Sequence, residues 1–198
     1  MTTQPAVSAQ PYTVQRYVAD VAAIMDRNLP LEEAVKEIAN AKRRFVNGGA
    51  PLPPELLKQH PIAPYTRNLV HRDPKDRFTV IALVWGAFQD TAVHDHFNWC
   101  VVGVVSGCAH VVNYERLDDG STPGKADLRV SSSTLQPAGA VAALLPPPRT
   151  NIHKMCNGGR GVMVSLHTYG DPGDKATAYN IKEGSYASID LRFHNLEP

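Results

Sequence analysis

The sequence predicts an all-β barrel or sandwich with a pair of α-helices in front of it. Short runs rich in β-branched residues recur from Arg77 onward, each about the length of a strand. Clusters of Gly, Pro and Asp separate them, as expected of a sandwich or barrel. Ahead of them, apolar residues return at steps of three and four, the period of a helix.

Residues 1–11 are small, polar and Pro-containing, and read as a loose arm. A helical part covers 12–49. In its first half Val14, Tyr17, Val18, Val21 and Met25 mark one face. Pro30 suits the first turn of a second helix, in which Leu31, Ala34, Val35, Ile38 and Phe45 repeat the spacing and Gly48 and Gly49 form the end. The basic cluster Lys42, Arg43 and Arg44 reads as a solvated face in the last turn, complementing the helix dipole. Five prolines stiffen the connector 51–64. Residues 65–198 are expected to form the barrel, with strands over 77–86, 99–106, 109–116, 128–135, 141–145, 161–169 and 187–193. Turns are expected at Asp118-Asp119-Gly120, Pro123-Gly124, Pro137-Ala138-Gly139, Pro146-Pro147-Pro148 and Gly158-Gly159.

The 198 residues suit a single domain. A formal net charge of +1 gives no electrostatic reason to bind nucleic acid or an anionic membrane. No apolar run is long enough to cross a bilayer. Three cysteines make no disulfide framework, and the first thirty residues lack the pattern of a secretory signal. The expectation is a cytoplasmic protein, taken as a monomer, with the oligomeric state left open.

The chemistry concentrates in two places. In VHDHFNWC, side chains alternate along an extended chain, so His94 and His96 face one way and Asp95 the other. Two imidazoles on one face make half of a metal site; the same spacing also suits a plain polar surface. A later histidine, His153, stands near a strand start and completes a set of three. In SLHTY, Ser165, His167 and Tyr169 share one strand face. A hydroxyl, an imidazole and a phenol in line can pass hydrogen bonds along a chain, and the phenol can position or protonate a ligand. His167 is the other candidate for third ligand; the relay reading favours His153.

The HxH spacing matches the cupins, which add a Glu four residues later; here Cys100 takes that place. Taken in order, YTRNLV (65–70), VWG followed by HDH, the single His153 and SLHTY resemble the thiol dioxygenases of the cupin superfamily, cysteine dioxygenase above all. The resemblance covers about residues 64 to 169. It implies a cupin double-stranded β-helix, with Fe(II) held by His94, His96 and His153. It implies that Arg67 pairs with the substrate carboxylate, through the bidentate fork of a guanidinium, with Tyr65 beside it. It makes Tyr169 the active-site tyrosine, with His167 and Ser165 behind it. In the animal enzymes a cysteine near the iron is joined to that tyrosine by a thioether, which implies a Cys100–Tyr169 bond here. Bacterial relatives acting on 3-mercaptopropionate usually have Gly at the Cys100 position and Gln at the Arg67 position, whereas the segment from HDH to Trp99 is bacterial in style.

The reaction implied adds both atoms of O2 to the thiol of L-cysteine, giving the sulfinic acid, with a small thiol and O2 as the only partners. The alternatives are a 3-mercaptopropionate or other thiol-carboxylate dioxygenase, and a metal-binding cupin without catalysis. Cys108 and Cys156 read as structural. His60, His71, His110 and His194 read as surface or capping residues, although His71 is close enough in sequence to Tyr65 to approach the site.

Overall fold

The computed structural model describes residues 11–146, 151–170 and 172–196. Apart from Pro11, the expected arm lies outside the described residues, as do Pro147 and Pro148 of the expected proline turn.

Helix α1, Val14–Asp26, starts where the Thr13 side chain accepts the Arg16 N–H at 3.2 Å. Its apolar face buries Val14, Tyr17, Val21 and Ile24. Helix α2, Leu31–Gly48, is capped by Pro30, which stands just outside the first turn rather than in it. Glu32 and Glu33 occupy that first turn, where the helix dipole favours negative charge. The connector that follows contains a short 3₁₀ helix, Pro54–Leu57.

Eleven strands follow among the described residues: β1 Thr66–Arg72, β2 Thr79–Trp85, β3 Val93–Asp95, β4 Cys100–Ser106, β5 Cys108–Arg116, β6 Leu128–Pro137, β7 Val141–Leu144, β8 His153–Asn157, β9 Met163–Tyr169, β10 Lys175–Asn180 and β11 Ser185–Asp190. All seven expected strands are present. The last is displaced toward the N-terminus: it ends at Asp190 rather than at Phe193. Strands β1, β3, β8 and β10 carry no strong strand signal, because pairing with neighbours rather than local propensity forms them.

Among the described residues the strands make two antiparallel sheets, ordered β1-β2-β9-β4-β7 and β11-β10-β3-β8-β5-β6. The eight strands from β2 to β9 divide as β2-β9-β4-β7 and β3-β8-β5-β6. That order is the two-Greek-key jelly roll, the double-stranded β-helix of the cupins. No helix among the described residues is long and apolar enough to cross a membrane.

The five-stranded sheet is covered on both faces. Along β2, Val80 and Ala82 pack on the helices with Tyr17, Ile38 and Phe45. Ile81, Leu83 and Trp85 point into the barrel with Met155, Met163 and Tyr169. Burial on both sides is why β2 reads as a continuous apolar run. Helix α2 lies close on β4 at Gly103, where an added Cβ would come within 2.8 Å of Lys42 Cγ and Val46 Cγ1.

Lys42 corrects the expectation of a solvated cluster. Arg43 and Arg44 are exposed, but Lys42 is wholly buried. The helix runs on to Gly48, so the cluster is not in the last turn. The Lys42 Nζ donates to the Leu166 carbonyl at 3.0 Å and the Thr168 hydroxyl at 2.9 Å, and lies 4.4 Å from the centre of the Tyr17 ring. Tyr17 also shares a hydrogen bond with Thr168, at 2.7 Å. This group ties both helices to the outer face of β9, the strand whose inner face carries the relay.

Lys42→Ala should destabilise the fold by about 2–4 kcal/mol, since it leaves a cavity and unpaired acceptors, and Lys42→Met by less. Burial holds the Lys42 amine well below its usual 10.5. Between the two values the unfolded chain binds the extra proton, so the stability advantage over Lys42→Met should grow as pH rises toward 10.5. Urea midpoints measured against pH check both.

Candidate metal centre

His94 lies in β3 and His96 immediately beyond its end, on the same face as the alternation requires. Asp95 points the other way, and its carboxylate accepts the Tyr179 hydroxyl at 2.8 Å. His153 opens β8 and stands opposite His94 in the β3–β8 pairing. One ring nitrogen from each of the three lies within 4.8 Å of the others. The three histidines singled out in the sequence thus lie together and could hold a metal ion.

Hydrogen bonds aim two of the rings. His94 Nδ1 lies 3.0 Å from the Ala92 carbonyl and His153 Nδ1 2.5 Å from the Asn151 carbonyl. A carbonyl can only accept, so Nδ1 carries the proton and Nε2 keeps its lone pair for a metal. Asn151 has a second function: its side chain accepts the His96 N–H at 3.3 Å and donates to the His96 and Leu145 carbonyls at 3.4 and 3.1 Å. One residue thereby fixes the backbone of one candidate ligand and the ring of another. No sequence signal distinguishes Asn151 beyond its place two residues before His153.

Burial, followed by the neighbouring His153, pushes His94 down to about 3. Burial first and the other two histidines next hold His96 well below the usual range, and burial lowers His153. Neutral imidazole is the ligating form. Three such rings, with no carboxylate in the cluster, fit a divalent transition ion and leave its charge uncompensated.

The same cavity, about 40 Å3, is lined by Tyr65, Arg67, Trp85, His167 and Tyr169 as well as the three histidines. Arg67 is buried on edge strand β1. One of its terminal nitrogens donates to the Gly173 carbonyl, and the Phe193 ring lies 5.6 Å from the guanidinium carbon. Its Nε has no partner, and no carboxylate pairs with it among the described residues. Tyr65 stacks on Trp85 with ring centres 4.6 Å apart.

Ser165, His167 and Tyr169 are linked as the alternation predicts. Ser165 Oγ lies 2.9 Å from His167 Nε2, and His167 Nδ1 lies 3.0 Å from Tyr169 Oη. The structure adds a start to this chain: Trp85 Nε1 donates to Ser165 Oγ at 3.0 Å. That contact assigns the tautomer. An indole can only donate, and Ser165 is wholly buried, so the serine hydrogen must go to His167 Nε2 or be stranded. Neutral His167 then carries its hydrogen on Nδ1 and donates to Tyr169, whose own hydrogen turns away from His167. Burial holds His167 well below the usual histidine range, with Lys42 adding to the effect. Both ring nitrogens are engaged, and His167 stands outside the group of three histidines that could hold a metal.

Cys100 stands directly opposite Tyr169 in the β4–β9 register, inside the barrel, but it does not line the cavity. His71 packs on Phe78 with ring centres 5.6 Å apart and does not reach the cavity. His194 is more than a surface residue: its Nδ1 accepts the Arg67 backbone N–H at 2.9 Å.

No protein-family model matches the chain. Among solved structures it is similar to a conserved protein with a double-stranded β-helix domain from Klebsiella pneumoniae, at 15% identity over 69% of this chain and 93% of that one, with a TM-score of 0.46. It is also similar to an RmlC-like cupin protein from Ralstonia eutropha, at 14% identity over 67% and 73%, with a TM-score of 0.45. An oxalate oxidase aligns at 16% identity over 54% and 50%, with a TM-score of 0.40.

Asn151→Ala should weaken binding of a divalent transition metal about 10- to 100-fold, because it removes the side chain that clamps the backbone at His96 and fixes the segment leading into His153; calorimetric titration measures this. Long-range ¹H–¹⁵N spectra of His167 should show the proton on Nδ1 in the wild type.

Proposed function

We propose that the protein is a non-haem iron(II) thiol dioxygenase acting on L-cysteine, with cysteine sulfinic acid as product. The observation that carries this reading is Arg67: a buried guanidinium with an unpartnered Nε, on the wall of a cavity that also holds three neutral imidazoles. A buried cation without a counter-charge is costly, and a bound carboxylate removes the cost. A small acid with a metal-seeking group a few atoms away fits both features.

His94, His96 and His153 would hold the iron; once bound, it supplies open positions for a thiolate and for dioxygen. The remaining steps belong to the chain. Arg67 takes the carboxylate, best as a bidentate pair. Trp85 and Tyr65 pack against each other beside it, while Leu83, Ile189 and Leu191 keep the cavity walls apolar. Tyr169, 5.1 Å from the His96 ring centre to centre, holds a hydroxyl hydrogen at the cavity, backed by the fixed donors of His167, Ser165 and Trp85. Both oxygen atoms enter the product, R–SH + O2 → R–SO2H, so no external reductant is consumed.

No acidic side chain lines the cavity among the described residues. An ammonium group therefore has no counter-charge waiting for it, and this favours 3-mercaptopropionate as the second substrate to test. Cys100, opposite Tyr169, is the residue for a thioether to that ring. Forming the bond removes two hydrogens, with dioxygen as the oxidant, and the intact mass falls by that amount.

Oxygen uptake by the iron-loaded protein with a panel of small thiols tests the reading. Stoichiometric uptake with cysteine and a sulfinate product are expected; faster turnover of 3-mercaptopropionate assigns the other acid, and no uptake with any thiol defeats both. Arg67→Ala should raise KM for the acid roughly 30-fold or more, since removing one partner of a buried charge pair costs about 2–5 kcal/mol. Tyr169→Phe should lower kcat by roughly 100-fold with KM little changed. Steady-state kinetics separate the two effects.

A further inference from the structure

Between the edge strands β6 and β7 a second chamber of about 210 Å3 opens into the barrel, against about 40 Å3 for the cavity beside the three histidines. Val102, Val104, Ala109 and Val111 form its walls, and His153 and Met155 its floor. Those two floor residues also line the metal cavity. They are two apart in β8, so both project inward and together form the partition between the chambers. Polar groups in the lining other than His153 are confined to Asn113, Thr134 and Gln136, toward the exposed edge strand β6. No charged side chain lines the chamber among the described residues.

The two chambers therefore select opposite chemistries. The Arg67 side offers a fixed positive charge. The second chamber offers none, and a charged ligand entering it would lose water without gaining a partner. Apolar cavities of this order take up small apolar species such as xenon. We propose that the second chamber is a binding site for dioxygen, which passes Met155 to the metal cavity while the charged thiol acid enters beside Arg67. Its use as an oxygen route rests on the oxygenase reading; the apolar site itself does not.

Crystals of the protein pressurised with xenon should show xenon against Val104 and Val111. Ala142 lines the chamber from β7 and is exposed, so Ala142→Phe can plug it with little strain on the core. With a native circular dichroism spectrum, this variant should lose the xenon, raise KM for oxygen several-fold and leave KM for the thiol unchanged. Val111→Phe should act in the same way from the inner wall. Xenon absent from a wild type that does consume oxygen overturns the chamber alone. Plugged variants with an unchanged KM for oxygen overturn the route. Xenon bound in a protein that consumes no oxygen with any thiol overturns the reaction, and the oxygen assignment with it.

Discussion

The pairing of β3 with β8 is the constraint on which the site depends. It sets His94 opposite His153, and the strand alternation then puts His96 on the same side. Slipping β3 by one residue in that register would turn His94 and His96 outward and bring Asp95 in. Strand β3 has only three residues and cannot hold its own register. Neighbours hold it: β10 pairs with it along its whole length, and Asn151 clamps the backbone at His96. The three-histidine group is therefore a product of sheet assembly rather than of any local motif.

Stability is spent at this centre in a directed way. Three imidazoles are kept neutral by burial, and a guanidinium is buried nearby with a donor unpaired. An unpaired buried donor costs about 1–3 kcal/mol, and a cation with no carboxylate paired to it among the described residues adds to it. The outer layers of the fold carry this burden. Apolar helix faces and the Lys42–Thr168–Tyr17 group brace β9 from behind. The inner face of that strand can then hold hydrogen-bonding groups in place of a packed apolar core.

The period-two alternation made much of this legible. It put His94 with His96, and Ser165 with His167 and Tyr169, before any strand was paired. His153 could be chosen over His167 only by giving the SxHxY row a purpose of its own, and the engaged nitrogens of His167 agree. Lys42 was legible and misread. It stands four residues after Ile38 and three before Phe45, on the apolar stripe, but its basic neighbours masked that position. Asn151, Trp85 and His194 were not legible as site residues. Their contributions are hydrogen bonds to groups that neither composition nor period brings together, most of them distant in the chain.

Arg67 shows how far the site reaches. Edge strands are usually wet, and an arginine on one would normally face water. Strand β1 is such an edge, yet Arg67 is buried. The last described residues account for this. Along the open edge, the His194 ring accepts the Arg67 N–H, and the Asn195 amide both accepts the Leu69 N–H and donates to the Leu69 carbonyl. Side chains thus stand where a neighbouring strand would make its hydrogen bonds. The same segment places Phe193 over the guanidinium and Leu191 on the cavity wall. The C-terminal stretch is therefore part of the arginine's setting: it seals the edge and helps to bury the guanidinium whose Nε has no hydrogen-bond partner.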